Sequence, residues 1–214
     1  TDLKKCVYIP KNYKINSDDI IFEISVGAIL TQNTSWSNVE KALGRLKLEG
    51  YLSPSKIYEI SCNKLENIIR SSGYFRQKAR KLKELSIFFI KNPIKKLKKK
   101  SVKELREMLL NIKGIGKETA DSIILYAFHK PIFIIDTYTR RIYSRFFGDY
   151  KNYDYDELAK IFEKNTKKDW RLYVEYHALF VEVAKRYCFK KNPLCSKCFL
   201  CNKCIEAKNI LRNE

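Results

Sequence analysis

At 214 residues the chain is long enough to bury a real core in one or two domains. Its 43 Lys and Arg against 24 Asp and Glu leave a formal charge of +19. A polyanionic partner is the simplest explanation, although a ribosome-associated or merely lysine-rich protein fits the composition too. No stretch reaches the roughly 18 apolar residues of a membrane span, and TDLKKCVYIPKNYK at the N-terminus has no signal-peptide core. No membrane partner is expected, and a cytoplasmic, nucleoid-associated location is.

Seven Gly and five Pro punctuate a pattern that reads as helix nearly throughout, with no run of strand-like alternation, so the expected fold class is all-α. Ser17 with Asp18 and Asp19 predicts a helix start, and Ile20, Ile21, Ile24 and Ala28 follow at helical spacing. Further helices are expected over residues 36–48, 65–71 and 77–90, with Asn92-Pro93 as the breaker. The run 95–100 is basic without apolar pattern and reads as a solvated loop. Ser101-x-x-Glu104 is a capping box that opens a helix with Leu105, Met108, Leu109 and Ile112 on one face. The next helix carries Ala120, Ile123, Ile124 and Ala127 and ends before Pro131. Asp136 stands alone among apolar residues and can cap a helix through Arg140, Ile142 and Phe146. His177 falls on an apolar stripe with Trp170, Tyr173, Val174, Val181 and Ala184, which reads as a hydrogen-bonded core histidine rather than a catalytic one.

Two segments carry chemistry. In Lys113-Gly114-Ile115-Gly116-Lys117, two glycines at a tight turn leading into a helix let backbone N–H groups approach a phosphate, and the helix N-terminus favours its charge. A plain interhelical turn would look the same. Near the C-terminus, Cys188, Cys195, Cys198 and Cys204 are spaced C-x6-C-x2-C-x5-C within residues 185–204, a segment with six Lys and Arg and no acid. Thiolates this crowded need a metal or a disulfide, and tight C-x2-C steps without a sign of secretion favour the metal. Zinc sites usually separate two C-x2-C pairs by about 12 to 20 residues, a gap absent here, whereas an iron–sulfur cubane takes one sulfur per iron. Cys201 leaves a second run open, Cys195, Cys198, Cys201 and Cys204.

The spacing C-x6-C-x2-C-x5-C resembles the cluster loop of the endonuclease III family of DNA glycosylases, which implies a 4Fe-4S cluster on Cys188, Cys195, Cys198 and Cys204 that holds a basic loop against DNA. The turn at 111–117 looks like that family's helix-hairpin-helix, a clamp on the DNA backbone, which implies DNA contacts from Lys113, Gly114, Ile115, Gly116, Lys117 and Thr119. Pro131 to Tyr138 is similar to the family's segment bearing a catalytic aspartate, here Asp136. Gly27-Ala28-Ile29-Leu30-Thr31-Gln32-Asn33-Thr34 resembles the loop that places a glutamine, here Gln32, into the gap left by an extruded base. Arg70-x-x-Gly73-Tyr74-Phe75-x-x-Lys78-Ala79 and the residues from His177 to Glu182 also match recurring family patterns. Trp36 and Tyr138 are candidates to line the base pocket, with plain packing as the other reading of each.

One departure bears on the reaction. Where bifunctional relatives place a Schiff-base lysine, two residues after the second hairpin glycine, this chain has Glu118. A carboxylate cannot form an imine, so the resemblance implies a monofunctional DNA N-glycosylase of base excision repair in which water attacks. The hairpin sequence is closest to the 3-methyladenine DNA glycosylase-like branch, which points to alkylated purines. A bifunctional glycosylase and AP lyase acting through Lys117, and a non-catalytic iron–sulfur DNA-binding protein, remain the alternatives. By resemblance the architecture is a helical domain over residues 20–130 with the hairpin and a second of residues 1–19 plus 131–214 with the cluster loop, the active site lying in the cleft between them. The expected partner is double-stranded DNA with a damaged or mismatched base, bound by a monomer.

Overall fold

The structure, a computed structural model, describes residues 18–212. The helix-start signal at Ser17 lies outside the described residues. The chain divides after Lys130 into two compact units, and among the described residues both are helical without a strand.

The first unit holds α1 (Asp18–Leu30), α2 (Trp36–Leu48), α3 (Pro54–Glu59), α4 (Cys62–Ile68), α5 (Phe75–Lys91), α6 (Ile94–Leu97), α7 (Val102–Leu110) and α8 (Lys117–Tyr126). Apolar residues on several faces of α1, among them Ile21, Phe22, Val26, Ile29 and Leu30, make it the central helix, packed against α2, α5 and α8. Glu23, buried within that helix, survives there because the Lys47 ammonium sits 2.7 Å from its carboxylate. Lys78 on α5 is 2% exposed and donates to the Leu30 carbonyl at 2.8 Å and the Ser72 carbonyl at 2.6 Å. It thereby satisfies the C-terminus of α1, and desolvation followed by the charge of Lys81 lowers its pKa to about 8.

The second unit begins with an extended run, residues 131–136, in which Ile132, Phe133, Ile134 and Ile135 are all buried. Side chains, not a neighbouring strand, meet this backbone: the Phe133 N–H donates to Glu163 at 3.0 Å and the Ile135 N–H to the Tyr155 hydroxyl at 3.3 Å. Then come α9 (Thr137–Phe147), α10 (Tyr155–Asn165), α11 (Trp170–Arg186) and α12 (Ile205–Arg212). Phe133 stacks on Phe162 with centroids 4.4 Å apart and meets Tyr173 edge-on, while α9 packs on α11 and α12.

Several expected boundaries move. The helix expected at 65–71 is α4, which starts at Cys62 because the Ser61 hydroxyl accepts the Lys64 N–H; a single 3-10 turn covers Arg70–Ser72. The run expected as a solvated loop at 95–100 contains the one-turn helix α6, tied to the core by Leu97, whose side chain is buried among its lysines. Helices α3, α10 and α12 were not expected, yet Pro54 at the first turn of α3 and the Asp154–Glu157 capping box of α10 are both sequence signals.

Candidate active site and nucleic-acid interface

Capping and burial build the hairpin. Ser101 and Glu104 close their box at the start of α7, and the chain leaves that helix through a turn in which Ile112 and Ile115 point into the core. Ile115 is therefore an anchor, and only its backbone is available to a ligand. Arg106 on α7 grips the buried Asp121 on α8 through Nε and Nη2, which donate to its two carboxylate oxygens at 2.7 and 3.1 Å and fix one helix of the hairpin on the other. Gly114 has φ +91° and needs glycine. Gly116 has φ −95° and ψ 179°, extended backbone open to any residue, and a Cβ there would meet nothing within 4 Å. It begins α8 with no side-chain cap. Lys113, Lys117 and Glu118 are exposed beside it, and Thr119 is buried.

The loop after α1 lies against the same hairpin. The Gln32 amide nitrogen donates to the Thr119 hydroxyl at 2.9 Å, and its carbonyl oxygen accepts from the Lys81 ammonium at 2.6 Å. Asn33 takes the left-handed conformation that closes this turn, φ 54°. Trp36 starts α2 with its ring edge near Gly27 of α1, so its position is that of a packing residue against a helix without a side chain at the contact.

Asp136 terminates the buried extended run and caps α9, its Oδ1 accepting the Thr139 N–H at 2.7 Å. Its Oδ2 lies 3.6 Å from Nε2 of His177 on α11. Burial pushes the carboxyl up, but the attraction of the neighbouring His177 and then the Thr139 amide outweigh it, holding Asp136 below the ordinary aspartate value. His177 thus faces the carboxylate that stood out in the sequence. The apolar stripe around it gave no sign of that pairing, and nothing in the spacing of residues 136 and 177 could have revealed it. Tyr138 packs with Ile142, Val183 and Ala184, and the Arg141 guanidinium lies over its ring at 5.3 Å.

Cys188, Cys195, Cys198 and Cys204 line one pocket, together with Ile142, Arg145, Val183 and Leu200; Cys201 does not line it, and its thiol turns to Asn202. Burial first, then the neighbouring thiols Cys204, Cys188 and Cys198, push the Cys195 thiol up; burial likewise pushes up Cys198. Thiols that resist ionisation together are a donor set that binds as thiolates when a cation compensates them. Among the described residues no three Cys, His, Asp or Glu side chains converge to grip a single ion. Arg145 pins the loop by donating to the Cys188 sulfur at 3.3 Å and to the Phe189 and Lys190 carbonyls at 2.6 and 3.0 Å. The described cysteines are free thiols, exposed Cys62 among them. No helix among the described residues is long and apolar enough to cross a membrane.

Comparison with known proteins places the chain in a family. The profile of the HhH-GPD superfamily of base excision DNA repair proteins matches residues 26–168. A Methanocaldococcus jannaschii protein named as a candidate DNA repair glycosylase is 45% identical over 188 residues, covering 86% of this chain and 85% of its own. An endonuclease III–DNA covalent intermediate superposes with a TM-score of 0.76 at 26% identity, covering 90% of this chain and 86% of the other. The H. pylori 3-methyladenine DNA glycosylase bound to 1,N6-ethenoadenine superposes with a TM-score of 0.69 at 34% identity, covering 77% of this chain and 85% of the other.

Proposed function

We propose, for a chain that belongs to the HhH-GPD superfamily of base excision DNA repair proteins, that it is a monofunctional DNA glycosylase which extrudes a damaged base from the duplex and removes it by hydrolysis. The observation that carries this reading is Asp136, a largely buried carboxylate held ionised by His177 and the Thr139 amide. Departure of a base leaves oxocarbenium character on the sugar, and a fixed anion stabilises that charge and orients or deprotonates the attacking water. His177 and the α9 N-terminus keep the carboxylate in its charged form through the step.

In this reading Gly114, Gly116 and the first turn of α8 hold a phosphate through backbone groups, Lys113 and Lys117 add charge, and Gln32 fills the hole in the stack. Glu118 in the first turn of α8 supports the hydrolytic outcome, because no amine stands at the position of the Schiff-base lysine. Alkylated purines are the substrate class we favour. A cationic purine leaves without a strong general acid, and the H. pylori relative was solved with 1,N6-ethenoadenine. Cys188, Cys195, Cys198 and Cys204 would hold a 4Fe-4S cluster, since the four line one pocket and would supply one sulfur to each iron of a cubane. The cluster would neutralise the thiolates and stiffen the basic loop.

The test is a panel of duplexes, each carrying one lesion, incubated with the purified protein. The reading requires free base and an abasic strand that stays intact until alkali is added, with no adduct trapped by borohydride. Efficient trapping would instead assign the chemistry to an amine, Lys117 first.

A further inference from the structure

We infer that Lys81 and Thr119 are positioning residues for Gln32, setting its amide in the free enzyme as the wedge that enters the duplex; this rests on the reading of Gln32 as the residue that fills the gap. Both polar ends of the Gln32 side chain are engaged. Its nitrogen donates to Thr119, buried in the first turn of α8, and its oxygen accepts from the Lys81 ammonium on α5. Those two partners leave the amide one orientation. The sequence distance between the contacts, 49 and 87 residues, places them out of reach of any local pattern.

Lys81 also touches the hairpin. A Cβ built on Gly114 would lie 2.7 Å from the Lys81 Cγ and 2.9 Å from its Cε, so the lysine stem runs directly over the glycine. The missing side chain at Gly114 therefore serves two ends: a left-handed turn, and a channel through which Lys81 reaches Gln32. The hairpin that grips phosphate and the glutamine that enters the stack are in this way mechanically one piece. A free glutamine side chain loses rotamer freedom when it inserts; one already held by two hydrogen bonds has lost it beforehand.

The test is a double-mutant cycle read by binding, not by activity. Wild type, Lys81→Met, Gln32→Ala and the double variant are titrated with an undamaged duplex and with the same duplex carrying a tetrahydrofuran abasic analogue, and the ratio of the two affinities is taken. Methionine keeps the stem over Gly114 and removes only the ammonium. Lys81→Met should lower the ratio about five- to tenfold, from the rotamer freedom Gln32 regains, and should change nothing further in the Gln32→Ala background. Thr119→Val should repeat the result. Equal losses on both duplexes would make Lys81 a phosphate contact and overturn the inference, as would a full effect of Lys81→Met in the Gln32→Ala protein. A rise in the ratio would make the contact a latch that opposes insertion, and also overturn it. If Gln32→Ala alone leaves the ratio unchanged, the gap-filling role of Gln32 itself is what fails.

Discussion

Replacing Gly116 with aspartate should strengthen the fold and weaken the grip on DNA at once. The backbone at this position is extended and the space around it is empty, so a side chain enters without strain. Aspartate is a better N-cap than glycine by a few tenths of a kcal/mol, and losing a glycine from the unfolded chain adds roughly 0.4–1 kcal/mol. The sum, about 1 kcal/mol, should raise Tm by roughly 2–4 °C. On DNA the sign reverses. A carboxylate about 5 Å from a bound phosphate repels it by about 1–3 kcal/mol between effective dielectrics of roughly 80 and 20, or roughly five- to 150-fold in Kd, on any sequence alike. Gly114→Ala is the contrasting case: φ +91° costs an L-residue about 1–2 kcal/mol, so Tm should fall, and the new Cβ displaces the Lys81 stem. Thermal melts and fluorescence-anisotropy titrations of undamaged duplex separate the two. A destabilised Gly116→Asp protein would refute the reading of this position as open, unstrained backbone, and one that binds DNA as well as wild type would refute the assignment of the hairpin as a phosphate clamp.

Purified protein should be brown with about four irons per chain; Cys188→Ser should lose the iron and Cys201→Ser keep it, by metal analysis and visible absorption. Asp121→Ala should cost about 2–4 kcal/mol in urea denaturation, near the lower end expected for breaking a buried pair because the Arg106 side chain is 22% exposed and can regain water. Because the Asp136 pKa is lowered in the fold, its contribution to stability is complete above the unfolded value of about 4 and is lost as pH falls through the folded value. Wild type should accordingly lose more stability than Asp136→Asn between pH 5 and 2, and equal losses would contradict the charged state assigned to Asp136.

Much of the helical fold was legible because its signals are local. The Ser101–Glu104 box, Asn92-Pro93 and the apolar spacing of α8 and α11 each lie within a few residues of what they specify. The cap that Asp136 forms on α9 was also legible, from a single carboxylate in an apolar run with a helix behind it. What could not be read depends on distant pairs. Gln32 meets Lys81 and Thr119 only after α1, α5 and α8 pack, and His177 reaches Asp136 from another helix. Gly116 misled differently: glycine suggested special backbone, yet its backbone is extended and ordinary, and a side chain there would enter open space. The extended run at 132–135 has no strand partner among the described residues, and side chains of α10 meet its backbone instead.

The central claim is that the Asp136 charge drives base release and takes no part in holding DNA. Asp136→Asn keeps the shape of the side chain and its acceptor for the Thr139 N–H while removing the charge that stabilises the oxocarbenium. Single-turnover excision of 1,N6-ethenoadenine, or of whichever lesion the panel identifies, should fall about 10²–10³-fold, in line with the loss of a preorganised electrostatic partner, while the Kd for the same duplex stays the same or drops. Excision that survives the substitution, or that falls only in proportion to lost DNA binding, would contradict the account.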